Sequence, residues 1–140
     1  MNVTGLAVFD RSLDKTGIML EEIMAGLDTA SAQEAYMALR ATLHALRDRL
    51  AVNEAAQLGA QLPLVLRGVY YEGWQPAKTP HPTRHAEDFL AEVAARYYWH
   101  PRDADAMVRT ALAVIARHVS PGEWLQVKRS LPKDIQTLLP

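Results

Sequence analysis

Residues 31–50, SAQEAYMALRATLHALRDRL, decide the fold. Tyr36, Leu39, Leu43, Leu46 and Leu50 recur every three or four positions and so lay one apolar stripe along an α-helix. Arg40, Arg47, Asp48 and Arg49 fall on its other faces, where charged side chains are ordinarily solvated. Ser31 and Glu34 have capping-box spacing. The Ser31 hydroxyl is expected to accept from an orphan amide of the first turn, and the Glu34 carboxylate to reach back to the Ser31 amide.

The same pattern returns 69 positions later. Between residues 37–70 and 106–139, six pairs are identical at that offset: Arg40/Arg109, Leu43/Leu112, Glu54/Glu123, Gln57/Gln126, Leu62/Leu131 and Pro63/Pro132. Leu39/Val108, Leu46/Ile115, Leu50/Val119, Leu58/Val127 and Leu66/Ile135 exchange one aliphatic side chain for another. A fixed internal period is read before any single motif. It predicts an all-α tandem duplication of a helical unit, about four helices each with the last one short, packed as one pseudo-symmetric helical bundle.

Working outward, residues 1–12 read as an N-terminal arm and 13–71 as the first helical unit. A helix over 13–26 carries Met19, Leu20, Ile23 and Leu27 at helical spacing. A helix from Asn53 to Gln61 follows the central one, and Leu64 to Tyr71 forms a short fourth. Pro63 lacks the amide that would continue a helix, so it separates these two. Residues 72–84 contain Gly73, Pro76, Pro80 and Pro82 and read as a linker. Residues 85–140 form the second unit. Its first helix runs from Ala86 to Tyr98, Pro101 opens the second, and Val108, Leu112, Ile115 and Val119 are its buried stripe. Ser120-Pro-Gly-Glu123 is a second capping box, and Pro132 opens the last short helix.

At 140 residues the chain has the length of one domain. It has no cysteine, which removes disulfides, thiolate metal sites and cysteine nucleophiles together. A net charge of −1 lacks the basic excess of a nucleic-acid binder. Residues 1–10 have no positive region followed by an apolar run, so no signal peptide is expected. No stretch approaches the roughly 20 apolar residues of a membrane span. The expectation is a cytoplasmic protein without nucleic-acid or membrane partners.

The runs His44–Leu50, Glu54–Pro63 and Tyr70–Trp74 resemble a bacterial family known as domain of unknown function 2267, and Arg117–Glu123 with Ser130–Pro132 resembles the matching half of that family's pattern. The resemblance extends from about Thr4 to Leu139. It implies a helical bacterial protein and transfers no activity, cofactor or site residue.

Six aromatic residues stand out as candidate binding residues. Tyr70, Tyr71 and Trp74 close the first unit, and Tyr97, Tyr98 and Trp99 close the first helix of the second. Tyr and Trp combine contact area with a polar handle, which serves an inter-unit core and a partner surface equally. His81 and His85 stand four apart with His100 beyond, and Glu87 or Asp88 nearby. Pro82 interrupts any helix between them, so they read as solvated linker histidines and no metal site is assigned. Glu21 with Glu22, and Asp103 with Asp105, lie on polar faces or at a helix start, where carboxylates favour the helix dipole. Arg40 and Arg109 occupy equivalent places on mostly polar helix faces, where side chains are ordinarily solvated; the equivalence also allows each to pair with its own unit's acid, Glu54 and Glu123.

No phosphate loop, serine elbow or dinucleotide fingerprint is present. The sequence therefore predicts no enzyme and no cofactor. The leading expectation is a helical module for protein–protein interaction or self-association. The alternative is a small-molecule or metal carrier with a site between the two helical units.

Overall fold

The stripe Leu39, Leu43, Leu46 and Leu50 has no exposed surface in the computed structural model, which describes residues 3–97 and 102–140. Each such leucine contributes about 1.5–3 kcal/mol by leaving water. The first three lie on helix α2 (Ala32–Asp48), preceded by α1 (Ala7–Leu27) and followed by α3 (Val52–Gln61) and α4 (Leu64–Tyr71). A short 3-10 turn at Pro76–Lys78 interrupts the connection to α5 (Ala86–Arg96). Then come α6 (Ala104–Arg117), α7 (Pro121–Ser130) and α8 (Lys133–Gln136), and no strand occurs among the described residues. The protein is an all-α bundle. Also among the described residues, no helix is long and apolar enough to cross a membrane.

Thirteen of the seventeen residues of α2 are buried, so this helix is enclosed on nearly every side. It packs against α1, α4, α5 and α6. α1 also crosses α6, α3 lies against α7, and α5 rests on α6 and α8. Gly26 sits where α1 meets α6, and a Cβ there would stand 2.5 Å from the Thr110 methyl. The missing side chain is what allows the two helices to approach so closely.

Three details depart from the sequence reading. First, α1 begins at Ala7, so the second half of the expected arm, residues 7–12, is helix. Asp10 holds its start, accepting from the Thr4 amide at 2.8 Å and the Thr4 hydroxyl at 2.9 Å. Val8, Phe9 and Leu13 are exposed, which is why core periodicity did not announce this turn. Second, α5 ends at Arg96, and α6 starts at Ala104 under an Asp103 cap, so the expected helix start at Pro101 falls outside the described residues and ahead of the observed one. Third, Arg47, Asp48 and Arg49 are buried rather than solvated.

Both capping boxes form by half. Ser31 Oγ accepts from the Glu34 amide at 3.1 Å, but the Ser31 amide donates to Thr29 Oγ1, and the Thr29 hydroxyl donates in turn to Glu34. Ser120 Oγ accepts from the Glu123 amide at 3.3 Å, while the Ser120 amide donates to Gln61 Oε1 at 3.0 Å. In each case the glutamate is drawn away, Glu34 to an ion pair with Arg102 and Glu123 to the α3–α7 contact near Glu54.

Candidate functional site

The aromatic residues expected to form a site take separate positions. Tyr70 is fully buried, its hydroxyl donates to the Ala55 carbonyl at 2.7 Å, and burial pushes its pKa far above the ordinary phenol range. Tyr71 meets Tyr70 edge-on with ring centres 5.0 Å apart and lies 5.3 Å from the half-buried Trp74. Tyr70 and Tyr71 fasten α4 back onto α3, the Tyr71 hydroxyl donating to the Ala56 carbonyl, and Trp74 packs on Tyr71. Tyr97 is buried next to Glu34 and Arg102, and burial first, then the Glu34 charge, raises its pKa. Tyr98 and Trp99 lie outside the described residues. Tyr70 and Tyr97 are therefore core side chains, with their rings withdrawn from any partner.

The remaining candidates have structural partners. Arg40 pairs with Glu72 rather than Glu54, and Arg109 pairs with Asp105 and donates to the Thr137 carbonyl rather than meeting Glu123. Glu54 accepts instead from Gln126. Glu22 joins α1 to the end of α6 through His118 at 2.7 Å and Arg117 at 2.8 Å. Glu21 is exposed. Asp103 caps α6, accepting from the amides of Asp105 and Ala106.

His81 is not a solvated linker residue. Its amide donates to the Asp48 carbonyl at 2.7 Å, and its Nδ1 stands 3.7 Å from Glu92 Oε1. His85 is exposed, 3.9 Å from Asp134; His100 lies outside the described residues. Ligand atoms of Asp48, His81 and Glu92 fall within 4.8 Å of one another, a grouping that could in principle hold a metal ion. The carboxylates are already engaged, however. Arg47 and Arg96 bind Asp48 at 2.9 and 3.0 Å, while Arg49 and Arg96 pair with Glu92. Three guanidiniums beside a divalent ion would oppose it, so the cluster reads as an ion-pair network.

Two recesses among the described residues bear on function. The larger, about 530 Å³, lies between α1 and the corner joining α3 to α4. Its walls include Val8, Ile18 and Leu64, each more than 40% exposed. Arg11, Lys15, Arg67 and His118 stand around them, and no carboxylate lines the recess among the described residues. Arg67 is fixed by the last turn of α3, donating to the carbonyls of Gly59, Ala60 and Leu62 at 3.0–3.2 Å. Ser12, buried on α1, accepts from the Val65 amide at 2.6 Å and so ties the start of α4 to this wall. Arg11 and Lys15 are exposed and make no ion pair among the described residues.

The sequence carried a signal for this groove. Val8, Arg11, Lys15 and Ile18 share one helical face, with a spacing of three or four residues, once α1 is extended to Ala7. The second recess, about 410 Å³, is bounded by α2, the linker and the end of α5. None of the curated proteins compared matches the chain. A family model described as an uncharacterized conserved protein matches residues 17–138, and the chain belongs to that family, DUF2267.

Proposed function

We propose that the protein is a non-enzymatic helical module that docks a partner protein, and that the groove between α1 and the α3–α4 corner receives an acidic, amphipathic segment of that partner. The observation that carries this reading is the charge of the groove. Exposed apolar walls are ringed by Arg11, Lys15 and Arg67 with no carboxylate lining them among the described residues, in a chain whose net charge is −1. An acidic segment would cover Val8, Ile18 and Leu64 with its apolar face and set its carboxylates against the rim. The rim charges would guide encounter and register, while the buried apolar area would supply most of the affinity. This reading includes a cytoplasmic location in a bacterial cell, in keeping with a cysteine-free chain.

We also infer that the chain arose by tandem duplication. The two ten-residue helices α3 and α7, each followed by a Leu-Pro step, support this inference, as do the six identities at a constant offset. Gln57 and Gln126, equivalent at that offset, lie 3.3 Å apart between side-chain amides, as expected near a pseudo-twofold axis.

The docking reading is tested by comparing proteins retained from the native cell by the wild-type chain, by Arg11→Glu/Lys15→Glu, and by a distant control, Lys133→Glu. A partner held by wild type and control but lost by the double variant is expected. A synthetic peptide of its acidic apolar segment should then bind the wild type and not the double variant. Equal retention by all three proteins overturns the reading. A concentration-dependent dimer abolished by the same double variant would assign the groove to a second copy instead.

A further inference from the structure

We propose that the recess bounded by α2, the linker and the end of α5 binds a phosphate group, free or carried by a small ester. The inference does not rest on the docking groove, because no residue lines both recesses.

Arg40, His44 and Arg47 stand at positions i, i+4 and i+7 of α2, on one helical face that borders the recess. Arg96 approaches from the end of α5, and Lys78 from the linker. Arg40, Arg47, Lys78 and Arg96 thus give four cations against two carboxylates, Asp48 and Glu72, in the lining. A volume of about 410 Å³ suits a small ligand rather than a single ion.

The three arginines are held in place before any ligand arrives. Arg47 is 3% exposed and donates to the carbonyls of Tyr70 at 2.7 Å and Glu72 at 2.9 Å, with its Nε on Asp48. Arg96 is fixed between Asp48 and Glu92. Arg40 shares Glu72, whose side chain is 60% exposed and free to swing toward water if an anion competes for the guanidinium. Lys78 is exposed and makes no ion pair among the described residues. Guanidinium forks match the oxygen geometry of phosphate, and a flexible ammonium can follow it as a point charge.

His44 shares this face with Arg40 and Arg47. Its Nε2 lies 2.7 Å from the Val69 carbonyl and must donate there, so in the neutral ring Nδ1 carries the lone pair. Burial first, then the charges of Arg47, Arg40 and Arg96, disfavours its protonated form despite that hydrogen bond. The same field that opposes a metal ion at Asp48, His81 and Glu92 favours a dianion beside Arg96.

The experiment is an NMR titration followed at the His44 ring, with inorganic phosphate and phenyl phosphate as probes and sodium chloride matched in ionic strength. Saturable shifts with either phosphate probe and none with chloride are expected. Lys78→Glu should weaken binding about tenfold or more, the usual consequence of losing a charge-assisted contact. Lys133→Glu, an exposed charge reversal outside the recess, should leave it unchanged. Thermal unfolding checks that Lys78→Glu keeps the fold. Absence of saturation with both probes, an equal response to chloride, or equal effects of the two substitutions overturns the proposal.

Discussion

The carboxylate of Glu54 accepts a hydrogen bond from Gln126 Nε2 at 2.8 Å, across the contact between α3 and α7. Glu123 lies close enough to feel that carboxylate. Its pKa is raised, by burial first and by the Glu54 charge second. A carboxyl whose folded pKa exceeds its unfolded value favours the folded state at low pH, and that contribution is lost as pH rises through the folded pKa. Glu123→Gln is therefore expected to raise the melting temperature at pH 7. The gain should disappear below the ordinary carboxyl range, near pH 4. Calorimetry at the two pH values checks both the sign and the disappearance.

Arg47→Ala should be among the most damaging single changes in α2. It strips Asp48 of one of its two arginine partners and leaves the carbonyls of Tyr70 and Glu72 without a donor. Removing one member of a buried ion pair costs about 3–5 kcal/mol. Urea unfolding of the variant measures this. A loss within about 0.5 kcal/mol, the range of ordinary surface substitutions, would show that water replaces the guanidinium.

Much of the helical frame could be read from residue spacing, because a stripe such as Leu39, Leu43, Leu46 declares its own buried face. Pro63 likewise marked the start of α4, and Tyr71 its end. Burial of Arg47, Asp48 and Arg49 could not be read that way. Their partners, Tyr70, Glu72, Glu92 and Arg96, come from segments remote in sequence, and local periodicity counts any charge as a vote for water. Equivalence between the units allowed Arg40 a solvated place or a pair with Glu54, whereas the chain brings Glu72 to it. For the candidate sites, aromatic composition pointed to Tyr70 and Tyr97, which are consumed by the core. The basic faces of α1 and α2 were present as spacing, but the α1 face mixes Val8 and Ile18 with Arg11 and Lys15 and so does not read as a core stripe.

At the α1–α6 crossing, Gly26→Ala would force a Cβ to within 2.5 Å of the Thr110 methyl. Helix propensity favours alanine by about 1 kcal/mol, whereas overpacking costs about 1–3 kcal/mol. The expected result is a net loss, recovered when Thr110→Ala is added. A double-mutant cycle by chemical denaturation reads this coupling. Additivity of the two changes would mean the helices shift apart without cost.

Tyr70→Phe and Tyr71→Phe separate a buried hydrogen bond from a marginal one. The Tyr70 hydroxyl meets the Ala55 carbonyl at 2.7 Å in the core, whereas the Tyr71 hydroxyl reaches Ala56 at 3.4 Å near the surface. The first substitution should cost about 1–3 kcal/mol because the Ala55 carbonyl loses a buried donor. The second should fall within about 0.5 kcal/mol of wild type. Parallel denaturation curves decide it.

The hydrogen bond from the Ser120 amide to Gln61 has a consequence for the chain as a whole. The start of α7 is completed by a side chain from the end of α3, while Arg102 neutralises Glu34 at the start of α2. Helices on either side of the linker thus finish one another's termini. A peptidase that nicks the connection between α4 and α5 would yield two fragments still clasped together, and neither fragment alone would hold its helix ends in order.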